Sequence, residues 1–311
     1  MPSQTNQPAE TPPWVTAPTE ERNPDTVGID RAGTLDVLRM ITDEDAKVPA
    51  AVRAVLPALA VAVDLAAGTL RGGHCVHYFG AGTSGRIAVM DAAELIPTYG
   101  IDPSQVVAHH AGGAGAVARA SENGEDREAG GAAEGAELRP LDLAVGLTAS
   151  GRTPYVIGAL RAARSRGART VLISANPEAG FGAEVDLHVG VATGPEVIAG
   201  STRMKAGTAQ KMLLNAFSTA LMVRTGRTYS NLMVAVGSGN AKLRGRIVRI
   251  LVEATGLDPA VCADAAERAG GDCRVALVSL LAGVPVSAAR GALAESGGAV
   301  RPALTIAGWG S

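Results

Sequence analysis

The chain has 311 residues, of which 47% are apolar and only 3% aromatic, with 39 glycines and a net charge of −2. That length holds one large α/β domain and a small second unit, built on an aliphatic core with tight turns. The near-neutral charge gives nucleic acid nothing to bind, and charged residues interrupt every apolar stretch that could span a bilayer.

Residues 1–24 are rich in Pro, Thr, Gln and Glu and read as a disordered N-terminal segment, without the basic and apolar regions of a signal peptide. From Asp25 to Leu65 apolar residues recur at helical spacing: Leu35, Leu38, Met40 and Ile41, then Val52, Leu56, Leu59, Val61 and Val63. The acidic run Asp43-Glu44-Asp45 reads as a solvated face or a helix start. Cys75, Cys262 and Cys273 make an odd count without C-x-x-C spacing. This argues against a disulfide framework or a zinc site and for a reduced, cytoplasmic setting.

Five apolar runs then alternate with helical segments: Cys75–Phe79, Gln105–Ala108, Leu143–Leu147, Thr170–Ser174 and Leu187–Val191. The alternation predicts a parallel sheet with helices on both faces, over an α/β domain at 25–245. Ligands of such folds sit beyond the C-terminal strand ends, where the strand order switches.

The first run leads into Gly80-Ala81-Gly82-Thr83-Ser84-Gly85 and a helix from Arg86. Glycines let backbone N–H groups converge, Thr83 and Ser84 add hydroxyl donors, and the helix start adds partial positive charge: the makings of an anion site. The G-x-G-x-x-G spacing is a weak dinucleotide match, and the hydroxyls suit a phosphomonoester better; no P-loop lysine follows. Such a loop also serves as plain structural punctuation.

His109-His110 ends the second run. As neighbours on a strand they point to opposite faces and make poor joint metal ligands. After Ala111-Gly112-Gly113 a helix is expected to carry Glu122, Glu125 and Asp126, with Glu122 and Glu125 on one face. A second loop, Thr148-Ala149-Ser150-Gly151-Arg152-Thr153-Pro154, repeats the Ser-Gly-Arg of the first and again opens a helix. Ser150, Gly151, Arg152 and Thr153 therefore join Gly82, Thr83, Ser84 and Gly85 as candidate phosphate ligands. Farther on, Ser201, Thr202, Arg203 and Lys205 gather hydroxyls and positive charge at the start of a long helix with an apolar stripe of Met212, Leu213, Phe217, Leu221 and Met222. Residues 246–311 read as short helices, including Val286–Glu295, forming a small helical domain.

The motifs GAGTSGR, ASGRTPYV and above all GSTRMKAGTAQK resemble the sugar isomerase (SIS) domain, and specifically the N-acetylmuramic acid 6-phosphate etherase family. The resemblance starts near Thr19-Glu20-Glu21-Arg22-Asn23-Pro24 and covers nearly the whole chain. It implies an SIS-type doubly wound, five-stranded parallel sheet, a homodimer, and a small C-terminal helical domain. It also implies a lyase that needs no metal, nucleotide or other cofactor and splits the D-lactyl ether of a sugar phosphate. Two acidic residues carry over: Glu94 in Asp91-Ala92-Ala93-Glu94 and Glu125 in Glu122-Asn123-Gly124-Glu125-Asp126. Ala93, Leu95-Ile96, Asn123-Gly124, Ala175 and Ser238-Gly239-Asn240-Ala241 depart from the family pattern without removing a carboxylate.

The resemblance gives Glu94 the proton-donor role with Glu125 as partner; the residues alone leave the two interchangeable. A regulatory phosphosugar sensor like the glucokinase regulatory protein and an aldose–ketose isomerase are the competing readings. In one straight helix Ser84 and Glu94 would lie about 15 Å apart at ~1.5 Å per residue. Either the helix ends early or Glu94 serves a neighbouring subunit, and a shared interface site is the expectation.

Overall fold

The computed structural model describes residues 17–119, 124–235 and 241–310, with the side chains of Ala241 and Lys242 left aside. Glu122, Asn123, Ser238, Gly239, Asn240 and residues 1–16 lie outside that set.

Three helices open the fold: α1 (Thr34–Asp45), α2 (Val48–Ala54) and α3 (Leu56–Arg71). The α/β layer follows as β1 (Val76–Gly80), α4 (Gly82–Tyr99), β2 (Val106–His110), α5 (Gly115–Ala118), α6 (Glu128–Gly135), β3 (Leu143–Thr148), α7 (Pro154–Ser165), β4 (Arg169–Ser174), β5 (Leu187–Gly190) and α8 (Lys205–Arg224). A short hairpin, β6 (Thr228–Tyr229) and β7 (Leu232–Met233), leads to α9 (Ala241–Thr255), α10 (Pro259–Arg268), α11 (Cys273–Ala282), α12 (Val286–Glu295) and α13 (Val300–Ile306). No single described helix is long and apolar enough to cross a membrane.

The five strands pair in parallel in the order β2-β1-β3-β4-β5, each within two residues of its expected run. Side chains alternate between two cores. Val76, Tyr78, Leu143, Val145, Leu147, Val171 and Ile173 pack with α3, α4 and α8. Phe79, Ala144 and Leu172 pack on the opposite face with α7. Gly146, between them, has no room for a Cβ, which would meet Val156 and Leu160 of α7 at 2.6 and 2.7 Å. The last five helices bury a separate cluster around Ile247, Leu251, Leu277 and Leu304.

Several expectations need correction. Within the segment expected to be disordered as far as residue 24, residues 17–24 are packed against the fold. Thr19 and Asn23 are buried, Thr19 O accepts the Gly200 N–H at 3.0 Å, and Thr26 donates to Val197 O at 2.8 Å. Glu44 is no part of a solvated face: it is 3% exposed at the end of α1. Leu35 and Leu38 of the expected apolar stripe are instead 59% and 54% exposed, because none of the described residues covers that side of α1. The β6–β7 hairpin carries no strong sequence signal; Ser230 takes φ +51 in its turn without a glycine.

Candidate active site

Strand order reverses at β1, whose neighbours are β2 on one side and β3 on the other. The two Ser-Gly-Arg segments follow the C-terminal ends of β1 and β3, and Gly80 pairs with Leu147, so they lie side by side at the switch point.

The first segment is not a loop before a helix: Gly82–Gly85 are themselves the first turn of α4. Ala81 caps this helix without a side-chain hydrogen bond, so its first N–H groups have no intrahelical partner and point out of the strand end. Gly80 and Gly85 let helix and strand touch, since a Cβ on Gly85 would meet His110 at 2.5 Å and Gly80 O at 2.6 Å. Ser84 is buried and Gly82 takes φ +54.

Across from this helix start, a cleft of about 180 Å³ is lined by Gly82, Arg86, His110, Gly124 and Glu125, among others. Glu125 does not sit on a helix as expected. It lies in a turn before α6, held where its carbonyl accepts the Tyr155 N–H at 2.9 Å. Its expected partner Glu122 lies outside the described residues. Arg86 clamps α5 by donating to Val117 O at 2.7 Å and Ala116 O at 3.3 Å. The two histidines point to opposite faces: His110 reaches Gly82 O at 3.3 Å, whereas His109 stacks on Phe79 beneath the sheet.

In the second segment Gly151 takes φ +75, the Ser150 hydroxyl accepts the Arg152 N–H at 3.2 Å, and the Thr148 and Thr153 hydroxyls share a 2.8 Å hydrogen bond. Asn176, which the sequence reading missed, anchors the segment by donating to Ser150 O at 3.1 Å. The α8 turn also comes close: a Cβ on Gly207 would lie 3.3 Å from the Thr83 methyl and 3.4 Å from Thr202 O. Ser201 and Thr202 are half-buried there, while Arg203 is exposed.

Lys205 stands apart from the other candidates. Its side chain is 2% exposed and its ammonium pairs with Glu44 at 2.5 Å, inside the fold rather than toward the cleft. The α8 start is also occupied internally: the buried Glu196 carboxylate accepts the Lys205 and Ala206 N–H groups at 2.8 and 2.9 Å. Burial pushes the Glu44 carboxyl up, but hydrogen bonds from Lys205 and Lys47 outweigh it and hold the group below its ordinary range.

Glu94 is the other outlier. Helix α4 runs unbroken through Glu94 to Tyr99, past Pro97, so the alternative of an early helix end is overturned. Glu94 is exposed, between Met90 at 43% and Ile96 at 40% exposure.

Residues 127–220 match the SIS domain model, and residues 58–164 match that of the glucokinase regulatory protein N-terminal SIS domain. An N-acetylmuramic acid 6-phosphate etherase from Thermobifida fusca is 64% identical over 86% of this chain and 88% of its own. The chain belongs to the N-acetylmuramic acid 6-phosphate etherase family. Etherases from Rubrobacter xylanophilus and Pectobacterium atrosepticum are 49% and 47% identical, each over 92% of this chain and 95% of their own. Among solved structures, a phosphoheptose isomerase from Francisella tularensis is similar over 61% of this chain and 98% of its own, with 17% identity and a TM-score of 0.49.

On α4, Asp91 is buried while Glu94, three residues on, is exposed. Asp91 is buried and accepts hydrogen bonds from Tyr78 at 3.2 Å and Ser218 at 2.9 Å, tying α4 to β1 and α8. Burial pushes its carboxyl up to about 6, against the lowering effect of those two hydroxyls. With a folded value above the ordinary 3.8, the stabilisation is complete below 3.8 and is lost as pH rises through about 6. Between pH 5 and 7 the wild type should therefore lose about 1 kcal/mol more stability than Asp91→Asn. Urea unfolding midpoints at the two pH values check this; parallel pH slopes would refute it.

Proposed function

We propose that this chain cleaves the D-lactyl ether of N-acetylmuramic acid 6-phosphate to N-acetylglucosamine 6-phosphate and D-lactate, in amino-sugar catabolism and cell-wall recycling in the cytoplasm. The observation that carries the site is Glu125 lining the same cleft as the uncapped α4 start. The phosphate binds at Gly82, Thr83, Ser84 and Gly85, with Ser150, Gly151, Arg152, Thr153, Ser201 and Thr202 around it. The α4 dipole favours the dianion there.

An ether at C3 is not an acetal, so the glycosidase oxocarbenium route is closed. In the open-chain sugar the C2 proton is acidified by the neighbouring aldehyde. One carboxylate removes it, the C3–O bond breaks, and lactate leaves with a proton from the acid. Water then adds across C2=C3, its oxygen to C3 and a proton to C2.

The second acid comes from a partner copy. Glu94 is too far along α4 to reach a sugar held at Ser84 of the same chain, and Met90, Ile96, Leu35 and Leu38 offer apolar surface for a second copy to cover. A proton donor working near neutral pH needs desolvation, which the surface of one chain does not give and an interface does.

The purified chain should release one D-lactate per N-acetylmuramic acid 6-phosphate, and in D2O the product should carry deuterium at C2. Sugar phosphate binding without lactate release would overturn the assignment and favour a sensor. Turnover of phosphosugars lacking the lactyl group would favour an isomerase.

A further inference from the structure

At the N-terminal edge of the sheet, away from the cleft, a set of donor atoms has no role in the chemistry above. Cys75 precedes β1 and Asp142 precedes β3, and the ladder that pairs Val76 with Leu143 brings the two side by side. His77 lies two residues beyond Cys75, on the same face. One ligand atom from each of Cys75, His77 and Asp142 lies within 4.8 Å of the others.

The hydrogen bonds behind His77 decide which of its nitrogens is free. The Glu134 carboxylate can only accept, so Tyr155 O–H donates to it at 2.7 Å and His109 Nδ1–H at 3.1 Å. The other ring nitrogen of His109, Nε2, shares a 3.0 Å hydrogen bond with His77 Nδ1. His77 Nε2 is outside that hydrogen bond and faces Asp142 Oδ2 at 3.9 Å. Asp142 Oδ1 accepts the Cys75 N–H and Oδ2 the Arg139 N–H, each at 2.8 Å, and each oxygen keeps a second lone pair beside the thiol and the imidazole. His74 Nδ1, buried and without a hydrogen-bond partner, sits 3.8 Å from Asp142 Oδ1. Carboxylate, imidazole and imidazole in series resemble the outer shell that orients metal-bound histidines.

The positive charge now beside these donors comes from Arg139, whose guanidinium is 3.2 Å from Cys75 Sγ and 3.3 Å from Asp142 Oδ1. Its side chain is 58% exposed and free to swing into solvent.

We propose that Cys75, His77 and Asp142 bind one zinc ion, with water in the fourth position, that displaces the Arg139 guanidinium and staples the start of β1 to that of β3. The mixed S, N and O donors suit tetrahedral zinc. The sequence argued against zinc because no C-x-x-C is present; this set spans Cys75 to Asp142 and is assembled only by strand pairing.

The test is cobalt titration of the full-length, reduced, chelator-stripped protein. One equivalent should produce a saturable near-ultraviolet thiolate-to-cobalt band, and zinc should abolish it. Cys75→Ser should remove the band, and His77→Gln should weaken binding at least tenfold. Arg139→Ala, an exposed substitution expected to fold normally, should bind several-fold more tightly. The proposal is overturned by no saturable band, by a band that survives in Cys75→Ser, by wild-type affinity in His77→Gln, or by no gain in Arg139→Ala.

Discussion

Replacing Glu94 with glutamine should cut lactate release by about 10²–10⁴-fold, the usual contribution of a positioned proton-transfer group, while sugar phosphate binding stays intact. The amide matches the carboxyl in size but carries no transferable proton. Because Glu94 is exposed, stability should hardly move. The expected kinetic signature is therefore a fall in kcat with little change in KM. Mixed dimers extend the test to the shared site. A Glu94→Gln chain keeps Glu125, and a Glu125→Gln chain keeps Glu94, so each heterodimer regains one intact site. With random pairing half the dimers are mixed, and activity should recover to about a quarter of wild type in a two-fold symmetric dimer. Wild-type turnover by Glu94→Gln would remove Glu94 from the chemistry; no recovery on mixing would place both acids in one chain.

Lys205→Ala should destabilise the fold by about 3 kcal/mol, because it removes the buried one of the two counter-charges on Glu44 and leaves only the half-exposed Lys47. For a chain of this size that lowers Tm by roughly 10 °C. Replacing both partners together, Glu44→Leu with Lys205→Met, should recover most of the loss, since it strands no buried charge. Thermal unfolding of the single and double variants reads both results. The sequence pattern alone suggests a different outcome: a substrate-binding lysine would raise KM and leave Tm unchanged. Such a result would mean that the ammonium faces the sugar phosphate.

The candidate site is partly legible in the sequence. The two Ser-Gly-Arg segments could be read because each strand, glycine turn and helix start is contiguous, and local geometry alone aims the N–H groups. The turn that carries Glu125 was misread as a helix, because its position depends on the Tyr155 N–H from α7 and not on its own periodicity. Asn176 and Glu196 were missed because neither lies in a recognisable motif; each acts on backbone groups that folding brings near. The exposed Leu35 and Leu38 follow a genuine helical stripe, but a stripe cannot say whether its cover comes from the same chain or another.

By itself the sequence determined the order of strands and helices, the parallel sheet, the phosphate-type turns and the family, all of which follow from local periodicity and contiguous motifs. Only the tertiary structure decided which polar groups are free for chemistry. It turned Lys205 inward to a glutamate 161 residues away, folded Asp91 between two hydroxyls, and left Glu94 on the outside of the same helix. The physical reason is that the fate of a charge depends on what surrounds it, and those neighbours come from distant parts of the chain.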